Sequence, residues 1–212
     1  MLIAPSDRYL IENSVMYVKD YKGPLDIVID IGAHVGTFSV HCAARGAKVY
    51  AYEPSNWNFS CLVGNVEAAR GLLGSIIPLK YAVTDKSGDV EYLRKAGHGT
   101  GQQSLCYRAD RWPIENDCAT LSLKDVLTNV FASEGKIDYL KCDIEGSEHR
   151  FYDMDEETRG LVGRVGFIEM SVHPLSNARY HESTGDVDYA AKMTNWLTLC
   201  GLPKERYLLV LV

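Results

Sequence analysis

The tightest constraint on this chain is a short run, Asp26 to Ile31 (DIVIDI), that breaks directly into the glycine turn Gly32-Ala33-His34-Val35-Gly36. Nearly continuous β-branched residues, bounded by Gly23-Pro24 and by Gly32, mark a strand covered on both faces, as in a parallel sheet. A helix is expected from Gly36 through Arg45, where Gly46 stops it, and Lys48 to Tyr52 (KVYAY) reads as a second strand. The opening of the chain is therefore a βαβ unit.

The same alternation continues. Phe59, Leu62, Val63 and Val66 recur at helical spacing behind Pro54 and Ser55, which predicts an amphipathic helix over 56–69. Strands are expected over 75–83 and 90–93, joined through the turn Lys86-Ser87-Gly88-Asp89. Residues 95–118 read as an irregular insertion, and long loops in a compact domain are often functional, so substrate contacts are expected there. Ser122 and Asp125 resemble a capping box ahead of Val126, Leu127, Val130 and Phe131. Strands over 137–143 and 165–172, a helix over 186–200 and a last strand over 207–212 complete the pattern. This is an open α/β sheet with helices on both faces, in which ligands bind beyond the carboxyl ends of the strands. No internal repeat or linker divides it, so one domain over 1–212 is expected, with 1–24 as an N-terminal extension.

Composition narrows the function. The 22 Lys and Arg stand against 28 Asp and Glu, a net charge of −6, and no cationic block is present, which disfavours a nucleic-acid partner. The cysteines Cys42, Cys61, Cys106, Cys118, Cys142 and Cys200 lack the paired spacing of a zinc site and read as buried free thiols. Asp7 and Arg8 interrupt the apolar start before a signal-peptide core, and no uncharged run approaches the roughly 20 residues of a membrane span. A soluble, cytoplasmic protein without a membrane partner is the expectation, with homo-oligomerisation left open.

The glycine turn lies where the first strand becomes a helix. No Lys follows Gly36 as a P-loop requires, and His34 occupies the middle glycine position of a dinucleotide turn. Glu53, 21 residues after Gly32 at the end of the second strand, is placed to accept hydrogen bonds from two ribose hydroxyls. The pair on one βαβ unit points to an adenosine-containing cofactor.

The segments DIVIDIGAHVGTFSV, AYEPSNWNFSCLVGNV, YAVTDKSGDVEYL and IDYLKCDIEGSEHRFY occur in the order found in FkbM-type S-adenosylmethionine-dependent methyltransferases, which this chain resembles over about residues 25–172. The resemblance implies a Rossmann-like class I methyltransferase fold: a mainly parallel central sheet, helices on both faces and an antiparallel last strand. It also implies that Asp30, Gly32 and Gly36, with Ala33 and His34 in the same turn, shape the pocket for the methionine end of the cofactor. Glu53 would hold the ribose, Ala82 and Val83 would lie near the adenine, and Asp143 would border the cofactor. His34 stands where the family usually has asparagine.

Methyl transfer to an alcohol needs alignment and is helped by a general base. Asp143, at the end of the 137–143 strand, is expected to face the crevice, whereas Glu148 reads as a helix-capping or solvated residue beyond Glu145. Glu169 and His173, four residues apart at the end of another strand, form a second candidate cluster, with His173 able to accept a proton near neutral pH. The catalytic candidates are thus Asp143, His173 and Glu169. Nothing in the spacing of Asp143, Glu145, Glu169 and His173 demands a metal, and none is assigned. Trp112 is a candidate for stacking on a sugar. The expected reaction is methylation of a hydroxyl on a small molecule, sugar or glycan, with S-adenosylhomocysteine as product. A nucleotide-linked oxidoreductase and a scaffold that has lost catalysis are the alternatives.

Overall fold

The computed structural model describes residues 21–96, 101–173 and 188–211. Its centre is a sheet in the order β10-β9-β8-β1-β2-β3, formed by β1 (Ile27–Ile31), β2 (Lys48–Tyr52), β3 (Ser75–Leu79), β8 (Tyr139–Cys142), β9 (Phe167–Val172) and β10 (Tyr207–Leu211). Every pairing in this sheet is parallel. The helices are α1 (Thr37–Ala44), α2 (Asn56–Ala68), α3 (Leu123–Glu134), α4 (Glu156–Gly163) and α5 (Tyr189–Leu199).

The expected antiparallel last strand is corrected: β10 runs parallel to β9, Tyr207 opposite Ile168 through Leu211 opposite Val172. The reason is the connection. The chain leaves β9 and returns after α5, and a helical crossover brings it back in the direction in which it left. Residues 186, 187 and 212, the ends of the expected last helix and strand, lie outside the described residues, as does most of the expected N-terminal extension.

β1 is buried along its whole length, as its β-branched run requires. Ile27, Ile29 and Ile31 pack on one face with Val126 and Leu127 of α3, Val162 of α4 and Trp196 of α5. Val28 packs on the other with Phe38 and Cys42 of α1 and Leu62 of α2. The capping box is present: Ser122 Oγ accepts from the Asp125 backbone N–H at 3.0 Å and donates to its carboxylate at 2.9 Å. All six cysteines are free thiols, and no helix among the described residues is long and apolar enough to cross a membrane.

The irregular stretch is more ordered than its composition implied. A smaller sheet runs β4-β7-β5-β6, built from β4 (Ala82–Thr84), β5 (Val90–Lys95), β6 (Gln103–Ser104) and β7 (Ile114–Ser122). The single strand expected over 75–83 is two strands, because β3 pairs with β2 whereas β4 turns away to pair with β7. β7 begins inside the expected loop. Its inward side carries Asn116, Cys118, Thr120 and Ser122, so its alternation is one of burial and not of hydrophobicity.

Ile29 is completely buried between the two helical layers. Ile29→Ala is expected to cost about 2–5 kcal/mol through lost burial and the cavity left behind, read as a lower urea midpoint at unchanged slope.

Candidate active site

The carboxyl ends of β1, β2 and β8 open onto one cavity of about 300 Å³, whose wall includes Gly32, Ala33, His34, Glu53, Ala82, Val83, Asp143 and His173. The glycine turn is hooked onto the next strand, because the backbone N–H groups of Gly32 and Ala33 both donate to the Tyr52 carbonyl at 3.0 and 2.9 Å. Gly32 has φ +78°, and a Cβ there would lie 1.9 Å from the Asp143 carbonyl oxygen. The ends of β1 and β8 approach so closely that only glycine fits. His34 has φ 54°, a left-handed conformation in which asparagine and histidine are both enriched; this is a backbone reason for exchanging one for the other.

Glu53 is 5% exposed, and its two oxygens accept from the backbone N–H groups of His34 at 2.8 Å and Ser55 at 2.9 Å. It therefore ties the glycine turn to the start of α2, and a carboxylate has further lone pairs for hydroxyl donors. Burial pushes its pKa up to about 7 against the lowering effect of those two backbone bonds, with Glu115 adding to the rise.

Asp30 and Gly36 do not belong to the cavity wall. Asp30 is fully buried, accepts from Ser39 Oγ at 2.7 Å and lies 3.3 Å from Lys141 Nζ. Lys141 Nζ also donates to the Gly32 carbonyl at 3.2 Å and reaches the cavity wall. Asp30 thus supports the turn from behind, through a lysine that sequence reasoning passed over; a lysine inside an otherwise buried strand was its available signal. Gly36, at φ +87°, is the left-handed residue before α1, and a Cβ there would meet Leu62 at 2.5 Å.

The acidic loop after β8 and the end of β9 form the other side of the cavity. His173 Nε2 lies 3.8 Å from Asp143 Oδ1 and 3.8 Å from Glu145 Oε1. Glu148, expected as a helix-capping or solvated residue, does cap the short helix Ser147–Phe151 through the Gly146 N–H, but it is fully buried and not solvated, since the fold draws it inward. Its Oε2 accepts from the Gly146 N–H at 2.9 Å, and its Oε1 meets the His173 backbone N–H at 2.8 Å and Nδ1 at 3.0 Å. Burial pulls the His173 pKa down, but the Glu148 hydrogen bond and the charges of Glu148, Glu145 and Asp143 outweigh it and carry it to about 9. Burial likewise raises Glu145 to about 7, against the opposing charge of His173.

Glu169 is not part of this group. It accepts from Tyr139 Oη and is absent from the cavity wall, because it lies on the face of the sheet that carries Tyr139 but four residues before His173, about 13 Å back along β9 from the carboxyl end where the cavity opens. The insertion does reach the site: Gly101, Gln103, Ser104 and Leu105 line the cavity, and Tyr107 Oη donates to Glu145 Oε2 at 3.1 Å. Trp112 instead packs beside Ala96 and Tyr107.

A parallel sheet whose central strand exits through a tight glycine turn, with a buried acid on the next strand and an acidic loop opposite, is an arrangement for a nucleoside-bearing cofactor and a second reactant. The chain belongs to the FkbM methyltransferase family: the model of the methyltransferase FkbM domain matches residues 30–201. The hexuronic acid methyltransferase AglP of Haloferax volcanii is 27% identical over 153 residues, 70% of this chain and 56% of its own length. The chain thus spans little more than half of that relative. The magnesium protoporphyrin IX methyltransferase ChlM of Synechocystis PCC 6803, solved with bound SAM, aligns over 92% of this chain and 68% of its own at 16% identity, with a TM-score of 0.48.

Gly32→Ala is expected to cost at least about 1–3 kcal/mol from backbone strain alone, whereas Gly160→Ala, on an exposed face of α4 where a Cβ meets nothing, stabilises by up to about 1 kcal/mol. Urea unfolding of the two variants checks both signs.

Proposed function

We propose that this chain methylates a hydroxyl of a sugar or glycan, using S-adenosylmethionine. The observation that carries the reading is the single cavity with Glu53 and the Gly32 turn on one wall and Asp143, Glu145 and His173 on the other. Family membership supports the reaction, and the likeness to a hexuronic acid methyltransferase supports the acceptor class.

The residues present fit the cofactor. Glu53 offers acceptor lone pairs to vicinal ribose hydroxyls, the tight Gly32 turn with Lys141 beneath it suits the methionine end, and Ala82 and Val83 on the cavity wall suit the adenine. When bound, S-adenosylmethionine supplies an electrophilic methyl group on a sulfonium sulfur and departs as S-adenosylhomocysteine. The chain's own part is to orient the acceptor hydroxyl and to take its proton as the oxygen–carbon bond forms. Against the effect of burial, its carboxylate neighbours raise the pKa of His173 to about 9, which favours the imidazolium at neutral pH and so a carboxylate as the resting base. That role falls to Asp143, with Glu145 held by Tyr107 beside it. Their negative charge also suits a cationic sulfonium. The six free thiols agree with a cytoplasmic setting.

Because Glu53 must be ionised to accept from both hydroxyls, S-adenosylhomocysteine affinity is expected to weaken as pH falls from 8 to 6, through the Glu53 pKa of about 7. Calorimetric titration across that range checks it, and Glu53→Gln is expected to bind about tenfold or more weakly with this pH dependence removed. Asp143→Asn is expected to lower turnover by about a hundred- to ten-thousandfold with a smaller change in cofactor affinity, measured with methyl-labelled donor on a panel of uronic and neutral glycosides. Transfer to no sugar by the cofactor-bound wild type would overturn the acceptor class.

A further inference from the structure

The geometry points to a divalent-cation site of the magnesium and manganese class, formed by Asp143, Glu145 and His173 at the acceptor side of the cavity. One donor atom from each of the three lies within 4.8 Å of the other two, so closing on an ion requires movements of roughly half an ångström. A carboxylate pair would not by itself define such a site. The independent observation is His173, a side chain only 6% exposed. Its Nε2 has no hydrogen-bond partner among the described residues and is aimed between Asp143 and Glu145 at 3.8 Å from each, too far for a hydrogen bond.

The other side of the imidazole is fully committed. Nδ1 meets Glu148 Oε1 at 3.0 Å, and the same oxygen accepts the His173 backbone N–H at 2.8 Å. Glu148 is itself fully buried and held by the Gly146 N–H. A carboxylate that fixes one ring nitrogen while the other is offered to a cavity is the arrangement that orients metal-bound histidines. Tyr107 does the same for Glu145, donating to Oε2 and leaving Oε1 toward His173. An ion there takes the place otherwise held by the imidazole proton.

Three protein donors leave about three positions of an octahedral shell for water or acceptor oxygens. A vicinal diol, or the hydroxyl and carboxylate of a hexuronic acid, can fill two of them. The cation would also offset the repulsion that Asp143 and Glu145 exert on an anionic acceptor. Asp143 keeps a second oxygen, so the hydroxyl proton still has a destination. This role in acceptor binding rests on the methyl-transfer reading; the ion site itself does not.

The test is titration of the chelator-stripped full chain with manganese(II), following the resonance of the free ion, beside calorimetry with S-adenosylhomocysteine. The expected result is one ion per chain at sub-millimolar concentration. Glu145→Gln is expected to weaken it at least tenfold while S-adenosylhomocysteine affinity stays within about twofold, and Glu148→Gln to weaken it about 10- to 100-fold. Thermal unfolding confirms that each variant is folded, and Glu145→Gln alone suffices should Glu148→Gln not fold. Wild type that binds S-adenosylhomocysteine but takes up no stoichiometric manganese overturns the site, as does manganese binding that both variants leave unchanged. Manganese binding that depends on Glu145 in a chain that binds no S-adenosylhomocysteine supports the ion site and overturns the methyl-transfer reading.

Discussion

The contact on which the rest of the site depends is between two pieces of backbone, the α-carbon of Gly32 and the carbonyl of Asp143. With β1 at the centre of the sheet and β8 beside it, the chain turns to opposite sides as it leaves these two neighbouring strands, which is where an open α/β sheet forms its crevice. Gly32 lets the exits come together without a side chain between them. The glycine turn and the acidic loop are therefore brought to one cavity by the same close approach.

Charge is the second organising constraint. Asp30, Glu53, Glu148 and Glu169 are nearly or fully buried, and burying a carboxylate is costly unless it is paired or hydrogen bonded. Each meets that cost differently. Asp30 has Ser39 and Lys141, Glu53 has two backbone N–H groups, Glu148 has Gly146 and His173, and Glu169 has Tyr139 at one of its two oxygens. Asp143 and Glu145 are less buried and face His173 across gaps longer than a hydrogen bond. The partners of the first group hold the backbone in place, whereas the second group keeps its capacity for a ligand.

The parts of this architecture that could be read in the sequence are those written in contiguous residues. DIVIDI followed by glycine announces a buried strand and a sharp exit, and Ser122 with Asp125 announces a helix start, because both signals act within a few residues. β7 was hidden because its inward positions are Asn116, Cys118, Thr120 and Ser122, so no apolar rhythm marked it. Glu148 was hidden for another reason: its spacing from Glu145 resembles an exposed helix face, and only the arrival of β9 supplies the His173 backbone that draws it inside.

The sequence by itself determined the alternating α/β order, the central strand, the glycine turn and the acid after β2, since local steric limits and hydrophobic periodicity operate along the chain. It also contained every residue of the acidic group. Tertiary structure alone decided which of them meet. Asp143 and His173 are 30 positions apart in the chain, and their approach depends on β8 and β9 pairing in parallel and in register. The same pairing set Glu169 against Tyr139, on the same face as the group but four residues back along β9 and so below the cavity. A shift of one residue in that register would turn His173 away from Asp143.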